Sequence, residues 1–122
     1  EQQRLALGKV LLTSPDVILL DEPTKGMDGK FKRRFGELLL KLRGEGKSIF
    51  LVSHDIEFCA RYADRCALLF RGETVTESSP REFFSGNFFY TTAAAKLSRA
   101  ILDGAVLAEE VIECLKRGRT DV

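Results

Sequence analysis

The sequence has almost no net charge and few side chains that bind metals through nitrogen or sulfur. Its 19 lysines and arginines nearly balance 18 aspartates and glutamates, so charge gives no indication of a nucleic-acid partner. The three cysteines, Cys59, Cys66 and Cys114, form no CxxC pair, which argues against a disulfide framework and favours a reducing compartment. The single histidine, His54, argues against a zinc site.

Long apolar segments and a start residue are also missing. No apolar run approaches the length that a membrane span requires, and no signal-peptide pattern opens the chain. We therefore expect a soluble chain that would need a partner for any role at a membrane. The only methionine is Met27, so Glu1 is not expected to be a translated start, and the 122 residues are expected to belong to a longer protein.

Helices and strands are predicted to alternate, the order typical of an α/β fold in which helices cover a parallel sheet. Two short apolar runs, residues 17–20 and 48–53, indicate strands buried on both faces. A further helix is predicted around Ile56, capped by Ser53 or Asp55. In chain order, the other predicted segments are a helix, a strand, a helix, a strand and an antiparallel edge hairpin: 1–13, 17–20, 30–43, 48–53 and 66–77.

The last part of the chain is predicted to be a helical appendage. Ser79, Pro80 and Glu82 stand where a capped helix start requires serine, proline and glutamate. We therefore divide the chain into residues 1–79, an α/β part, and residues 80–122, a helical extension with further helices near 91–102 and 106–117. A cluster of five aromatic residues is expected to form a small core, with a ligand groove as the alternative. The five residues are Phe83, Phe84, Phe88, Phe89 and Tyr90.

Two adjacent carboxylates, Asp21 and Glu22, end the first predicted strand. Ligands gather at the carboxyl ends of parallel strands, where Asp21 would hold Mg²⁺ and Glu22 would position or deprotonate an attacking water. His54 follows the second strand, so its imidazole would reach the same crevice and bond a terminal phosphate oxygen. The alternative is a solvated strand end without a catalytic role.

Four short motifs, in this order, resemble those of the ATP-binding cassette (ABC) ATPases. Residues 1–4, Glu-Gln-Gln-Arg, are similar to the tail of the family signature, and residues 17–22 to the Walker B strand with its catalytic glutamate. Residues 23–28 are similar to the D-loop, with Met27 where leucine is commoner, and residues 53–55 to the histidine switch. The resemblance covers about residues 1–85 and implies part of a P-loop NTPase sheet.

The resemblance implies a role for each matched residue. Glu22 would act on the attacking water, His54 would contact the γ-phosphate, and Asp21 would bind Mg²⁺. Asp28 would lie where two ATPase domains enclose ATP. The residues implied to bind nucleotide or its metal are Asp21, Asp28, Glu1 and Gln2. The implied partners are a second ATPase domain and transmembrane subunits, at the cytoplasmic face of the membrane, with no nucleic acid.

A phosphate-binding P-loop, GxxxxGK[ST], is absent from these 122 residues. Gly46, Lys47 and Ser48 imitate its end, but Lys41 stands where the first glycine would be, and the triplet joins a helix to a strand rather than a strand to a helix. We interpret it as a helix stop. The chain alone is therefore expected neither to bind ATP tightly nor to hydrolyse it, whereas the intact protein is expected to be an ATPase.

The segment from Phe84 to Ala94 is similar to a stretch in ATPases of energy-coupling factor (ECF) transporters, which import cobalt and vitamins, especially in chains that fuse two cassettes. The leading hypothesis is the C-terminal part of an ATPase subunit of such an importer. The alternatives are a non-transport ABC ATPase that acts on DNA or ribosomes, and a non-catalytic dimerising module. Because neighbouring strands of the family's sheet are not expected in this chain, we predict an exposed edge, exposed apolar surface and self-association.

Overall fold

The computed structural model describes residues 5, 8, 9, 12–86, 91–98 and 105–118. The implied signature residues Glu1 and Gln2 lie outside the described residues. The chain divides into two compact units, residues 1–55 and 56–122, and the predicted division between residues 79 and 80 lies inside the second unit. Over the described ranges, every helix is too short or too polar to cross a bilayer.

From Val17 onward the described helices and strands follow the predicted order, whereas most of the predicted helix 1–13 lies outside the described residues. The first unit contains strand β1 (Val17–Asp21), helix α1 (Gly29–Gly44) and strand β2 (Ser48–Val52). The second unit contains helix α2 (Ile56–Tyr62), strands β3 (Cys66–Phe70) and β4 (Glu73–Ser78), and helices α3 (Pro80–Gly86), α4 (Ala93–Ser98) and α5 (Ala108–Gly118). The predicted bounds of both apolar strands and of α1 agree with the structure to within one residue.

Strands β1 and β2 pair in parallel, with Val17 opposite Ser48 and Asp21 opposite Val52. Helix α1 packs against β2 and buries its Phe35 and Leu39, and Ile18 of β1 is buried as well. The prediction that these strands are buried on both faces is wrong for one face, because successive side chains point to opposite sides and the described residues cover one side only. The exposed apolar side chains are Val17, Leu19, Phe50 and Val52.

Helix α1 begins and ends at the residues that the sequence indicates. Asp28 is its N-cap and accepts the N–H of Phe31 at Oδ1 (2.7 Å). After Gly44 the chain turns at Gly46, whose φ of +86° is a conformation that glycine adopts without strain. The ammonium group of Lys47 then donates to the carbonyl of Ser14 (3.0 Å). The interpretation of residues 46–48 as a helix stop is therefore confirmed.

The predicted antiparallel hairpin forms from β3 and β4 in the second unit. Arg71 and Gly72 both have positive φ, 52° and 83°, which is typical of the two-residue turns that match the twist of a hairpin. The hairpin is a two-stranded sheet of its own. Among the described strands, the ladder of β3 and β4 does not connect to that of β1 and β2, whereas the sequence predicts the hairpin at the edge of the parallel sheet.

The C-terminal helices pack around a small core. At the start of α3, Ser79 Oγ accepts the backbone N–H of Glu82 (3.4 Å) and Glu82 Oε2 accepts the backbone N–H of Ser79 (3.4 Å), which confirms the predicted capping pair. Phe83 and Phe84 are buried together with Val106. The centres of the two phenylalanine rings lie 5.0 Å apart and the rings are nearly perpendicular, so the core interpretation is confirmed for these two aromatics. The other members of the aromatic group, at 88–90, lie outside the described residues, as does part of the predicted helix 91–102.

Candidate functional site

Glu22 and His54 lie side by side just beyond the carboxyl ends of β1 and β2. The parallel register brings the ends of the two strands together, and the Glu22 N–H extends the ladder by donating to the carbonyl of Val52 (2.8 Å). Nδ1 of His54 contacts Oε1 of Glu22. The other carboxylate oxygen accepts the backbone N–H of His54 (3.3 Å) and the hydroxyl of Ser53 (3.4 Å). The structure thus places these two predicted residues together.

The backbone of Glu22 has an unusual conformation. Its φ of 44° lies in the left-handed region, which residues other than glycine rarely adopt. Such conformations cost energy and persist where the surrounding structure holds them. Here the bond to Val52 fixes the N–H of Glu22, while Ser53 and His54 fix its carboxylate. The chain therefore leaves the strand sharply and presents the Glu22 side chain to the residues that follow β2.

The environment of Glu22 favours its charged form. Partial desolvation raises the pKa of the carboxyl, but the hydrogen bonds and charge of His54 and the hydroxyl of Ser53 outweigh this effect, so the pKa lies below its usual value. Glu22 is therefore ionised at neutral pH, the form in which a carboxylate accepts a hydrogen bond from water. The side chains of His54 and Glu22 are 96% and 30% exposed, so both can be reached by a ligand.

These two residues line an open depression of about 550 Å³. Part of its wall is the turn that follows Glu22, in which Lys25 donates to the carbonyl of Glu22 (3.2 Å) and Met27 to that of Thr24 (3.1 Å). Thr24 is buried and anchors this turn. The segment that resembles the D-loop therefore borders the same space as the glutamate and the histidine.

Asp21 and Asp28 are placed differently from Glu22. Asp21 ends β1 with its side chain exposed, and it does not line the depression. Asp28 is also exposed, and its carboxylate caps α1, a structural task that the sequence analysis missed although aspartate before a helix is a usual cap. Within the described ranges, no three acidic, histidine or cysteine residues group as a metal site. A single exposed carboxylate such as Asp21 suits Mg²⁺, which keeps several waters and phosphate oxygens as ligands.

Lys32 is a further residue at the depression that the sequence analysis missed. Its ammonium group pairs with the carboxylate of Asp55, the residue after His54. The sequence predicts Ser53 or Asp55 as the cap of the helix that follows; in the structure the Ser53 hydroxyl accepts the N–H of Asp55 (3.0 Å). A lysine on the polar face of an amphipathic helix gives no sign in the sequence of a partner 23 residues away.

Comparison with known proteins identifies the family. Over 113 residues, 93% of the chain, the sequence is 51% identical to a putative ABC transporter ATP-binding protein of Bacillus thuringiensis subsp. konkukian. The chain is a member of the ABC ATPase family. It spans 20% of the length of that relative. The resemblance of its motifs to the ABC ATPases is thereby confirmed, although no family model matches the sequence.

Two other proteins that resemble the ABC ATPase chain have more specific descriptions. Over 85 residues it is 40% identical to the energy-coupling factor transporter ATP-binding protein EcfA2 of Staphylococcus aureus, covering 69% of this chain and 30% of that protein. Its fold matches the structure of CbiO1 from Clostridium perfringens, part of the ABC transporter complex CbiONQ, with a TM-score of 0.61 and 33% identity. That match covers 66% of this chain and 33% of CbiO1, and it confirms the predicted fold class.

Proposed function

We propose that this ABC ATPase chain supplies the water-positioning glutamate and the switch histidine for ATP hydrolysis, in a subunit that powers an ECF-type importer. The observation that carries the proposal is the contact between the His54 imidazole and the Glu22 carboxylate, at the exposed ends of two parallel strands. Ligands of open α/β sheets bind at such strand ends. The nature of the two groups suits the hydrolysis of a phosphate ester.

Glu22 acts on the attacking water. Its lowered pKa keeps the carboxylate ionised, so that it accepts a hydrogen bond from a water molecule and orients it. The left-handed backbone of Glu22 and the bonds from Ser53 and His54 hold the carboxylate at the rim of the depression. Because the acceptor is already fixed in place, less entropy is lost when the water molecule is positioned for attack.

His54 contacts the terminal phosphate. In the protonated imidazole both ring nitrogens donate, so Nδ1 donates to the Glu22 carboxylate while Nε2 donates a hydrogen bond to a phosphate oxygen. The exposure of the ring gives a triphosphate access to it. The imidazole would thus contact the γ-phosphate and the Glu22 carboxylate at the same time.

Asp21 would hold Mg²⁺, which neutralises phosphate charge when it is bound. ATP must find most of its phosphate contacts elsewhere, since these 122 residues contain no P-loop and Lys47, which imitates the P-loop lysine, is engaged with Ser14. We therefore propose that the intact protein, and not this chain alone, is the active ATPase.

Similar proteins support the proposed ECF assignment and the proposed partners. The similarity to EcfA2 and to CbiO1, together with the segment 84–94, supports an importer of a metal ion or vitamin. The proposed partners are a second ATPase domain, with Asp28 at the contact, and transmembrane subunits at the cytoplasmic face of the membrane. The exposed apolar face of β1 and β2 supports self-association of the isolated chain.

A chimera tests this function. In the B. thuringiensis relative, the 113 matched residues are replaced by the matching residues of this chain; this protein is called the Bacillus chimera below. We expect Mg²⁺-dependent phosphate release, and a fall in kcat of about 10²-fold in His54→Ala, because the terminal phosphate loses a partner. Glu73→Ala, an exposed change on β4, is the control. Unchanged turnover in His54→Ala would contradict the proposal.

A further inference from the structure

Lys32 lies in the first turn of α1, shortly after the segment that resembles the D-loop. Its backbone N–H donates to the carbonyl of Asp28 (2.9 Å), the residue that caps the helix. Its ammonium nitrogen lies 2.5 Å from Oδ2 of Asp55. The Asp55 side chain is only 16% exposed and that of Lys32 36%, so this ion pair is better shielded from water and salt than a pair on an open surface.

The segment 53–55, which contains His54, is held at both ends. At one end, the hydroxyl of Ser53 and the N–H of His54 donate to the carboxylate of Glu22. At the other end, the carboxylate of Asp55 is held by Lys32. Inside the segment, the Ser53 hydroxyl accepts the N–H of Asp55, which closes a tight turn. The Lys32 contact ties this turn to α1 through an ion pair.

The imidazole of His54 depends on this turn for its position. The ring is almost fully exposed, so little packing restricts its rotamers. Its contact with Glu22 requires that the backbone of residue 54 stay at a fixed distance and angle from the end of β1. A shift of the turn would therefore move the ring away from the carboxylate.

We propose that Lys32 is a positioning residue for His54, acting through Asp55, an inference that rests on the function proposed above for its effect on catalysis. The ammonium group links the start of α1, and with it the D-loop-like segment, to the histidine switch. Lys32 does not itself contact the reacting atoms. Its loss loosens the turn 53–55 and weakens the contact between the imidazole and Glu22.

The first test uses the chain alone and its single histidine, whose ring signals in a ¹H–¹³C NMR spectrum need no assignment. The shift of these signals between the wild type and Glu22→Gln defines the signature of the imidazole–carboxylate contact. We expect Lys32→Met to move the ring signals a large part of the way toward the Glu22→Gln position. Lys32→Arg, which keeps the charge, should leave them near the wild-type position.

Two further variants make the result decisive. Lys30→Met removes a charge from the same turn of α1 without touching the pair, and its ring signals should stay at the wild-type position. Asp55→Asn removes the charge at the other end and should act like Lys32→Met; it decides the question if Lys32→Met fails to fold, as seen from lost amide dispersion. Ring signals unchanged in both Lys32→Met and Asp55→Asn would overturn the proposal.

Kinetics in the Bacillus chimera separate positioning from binding. We expect Lys32→Met to lower kcat by about tenfold with little change in KM for ATP, since a displaced switch residue slows the chemical step. Lys32→Arg should recover most of the loss. A raised KM at unchanged kcat would mean that Lys32 binds the nucleotide directly and would overturn positioning. If the wild-type chimera shows no turnover, the proposed function fails, while the ring signals still decide whether Lys32 positions His54.

Discussion

Nδ1 of His54 contacts Oε1 of Glu22 although the two residues lie 32 positions apart in the chain. The parallel pairing of β1 and β2 brings the two strand ends together, and the left-handed backbone of Glu22 directs its carboxylate to the residues after β2. An acid and an imidazole in contact at an exposed strand end form a pair that can orient water and sense a phosphate.

Glu22→Gln is expected to separate nucleotide binding from turnover. Glutamine keeps the size of the side chain but cannot act as a carboxylate base, so the Bacillus chimera should retain ATP while its phosphate release falls by about 10²-fold or more. Binding of a fluorescent ATP analogue and single-turnover phosphate release measure the two steps. Glu37→Gln, an exposed change on α1, is the matched control, and full turnover in Glu22→Gln would remove Glu22 from the catalytic role.

The isolated chain is expected to bind ATP weakly. A triphosphate needs backbone N–H groups and a lysine around its phosphates, and these 122 residues contain no P-loop to provide them. Titration calorimetry should give a Kd of about 1 mM or no detectable heat, with the Bacillus chimera as the positive control. Micromolar binding with turnover by the chain alone would contradict this expectation.

The isolated chain is expected to self-associate through the exposed apolar face of β1 and β2. Apolar patches of this kind on sheets with unpaired edges favour contact between copies. Light scattering should show a mass above 13.7 kDa that rises with concentration, and Leu19→Lys should reduce the association. Leu69→Lys, which changes another exposed leucine, on β3, is the control. A stable monomer at high concentration would count against the prediction.

Glu110 is expected to make the stability of the second unit depend on pH in the acidic range. Desolvation raises the pKa of its carboxyl, but the N–H groups of Leu107 and Val106 and the guanidinium of Arg81 outweigh this and lower it below the usual value of 4.5. A group with a lowered folded pKa stabilises the fold above its unfolded pKa and loses that contribution as pH falls through the folded value. This contribution is therefore present at neutral pH and lost below pH 4.5.

Urea unfolding of Glu110→Gln measures this contribution. We expect a loss of about 1 kcal/mol in the free energy of unfolding near neutral pH and a smaller loss at a pH below the folded pKa of Glu110, where the wild-type carboxyl is protonated as well. Glu113→Gln is the matched control, because Glu113 pairs with Arg117 on the surface of the same helix and should contribute only about 0.3 kcal/mol. Equal losses for Glu110→Gln at both pH values would show that the charge of Glu110 is not the cause.

Local features of the fold were predictable where one segment determines its own structure. The stops at Gly44 and Gly46, the capping pair of Ser79 and Glu82, and the hairpin turn at Arg71 each depend on neighbours within a few residues. The burial of β1 was predicted less well. Alternation along a strand fixes which side chains share a face, but whether another element covers that face depends on residues far away in the chain.

The amino-acid sequence was sufficient to predict the order of helices and strands, the family, and the two residues, Glu22 and His54, that follow neighbouring strands. Three features became visible only in the folded chain: Lys32 pairs with Asp55, Asp21 does not line the depression, and one face of β1 and β2 is exposed. The physical reason is the separation along the chain between the residues that interact. Turns, caps and periodicity follow from contacts between neighbours, whereas ion pairs and burial depend on which distant segments meet once the sheet has formed.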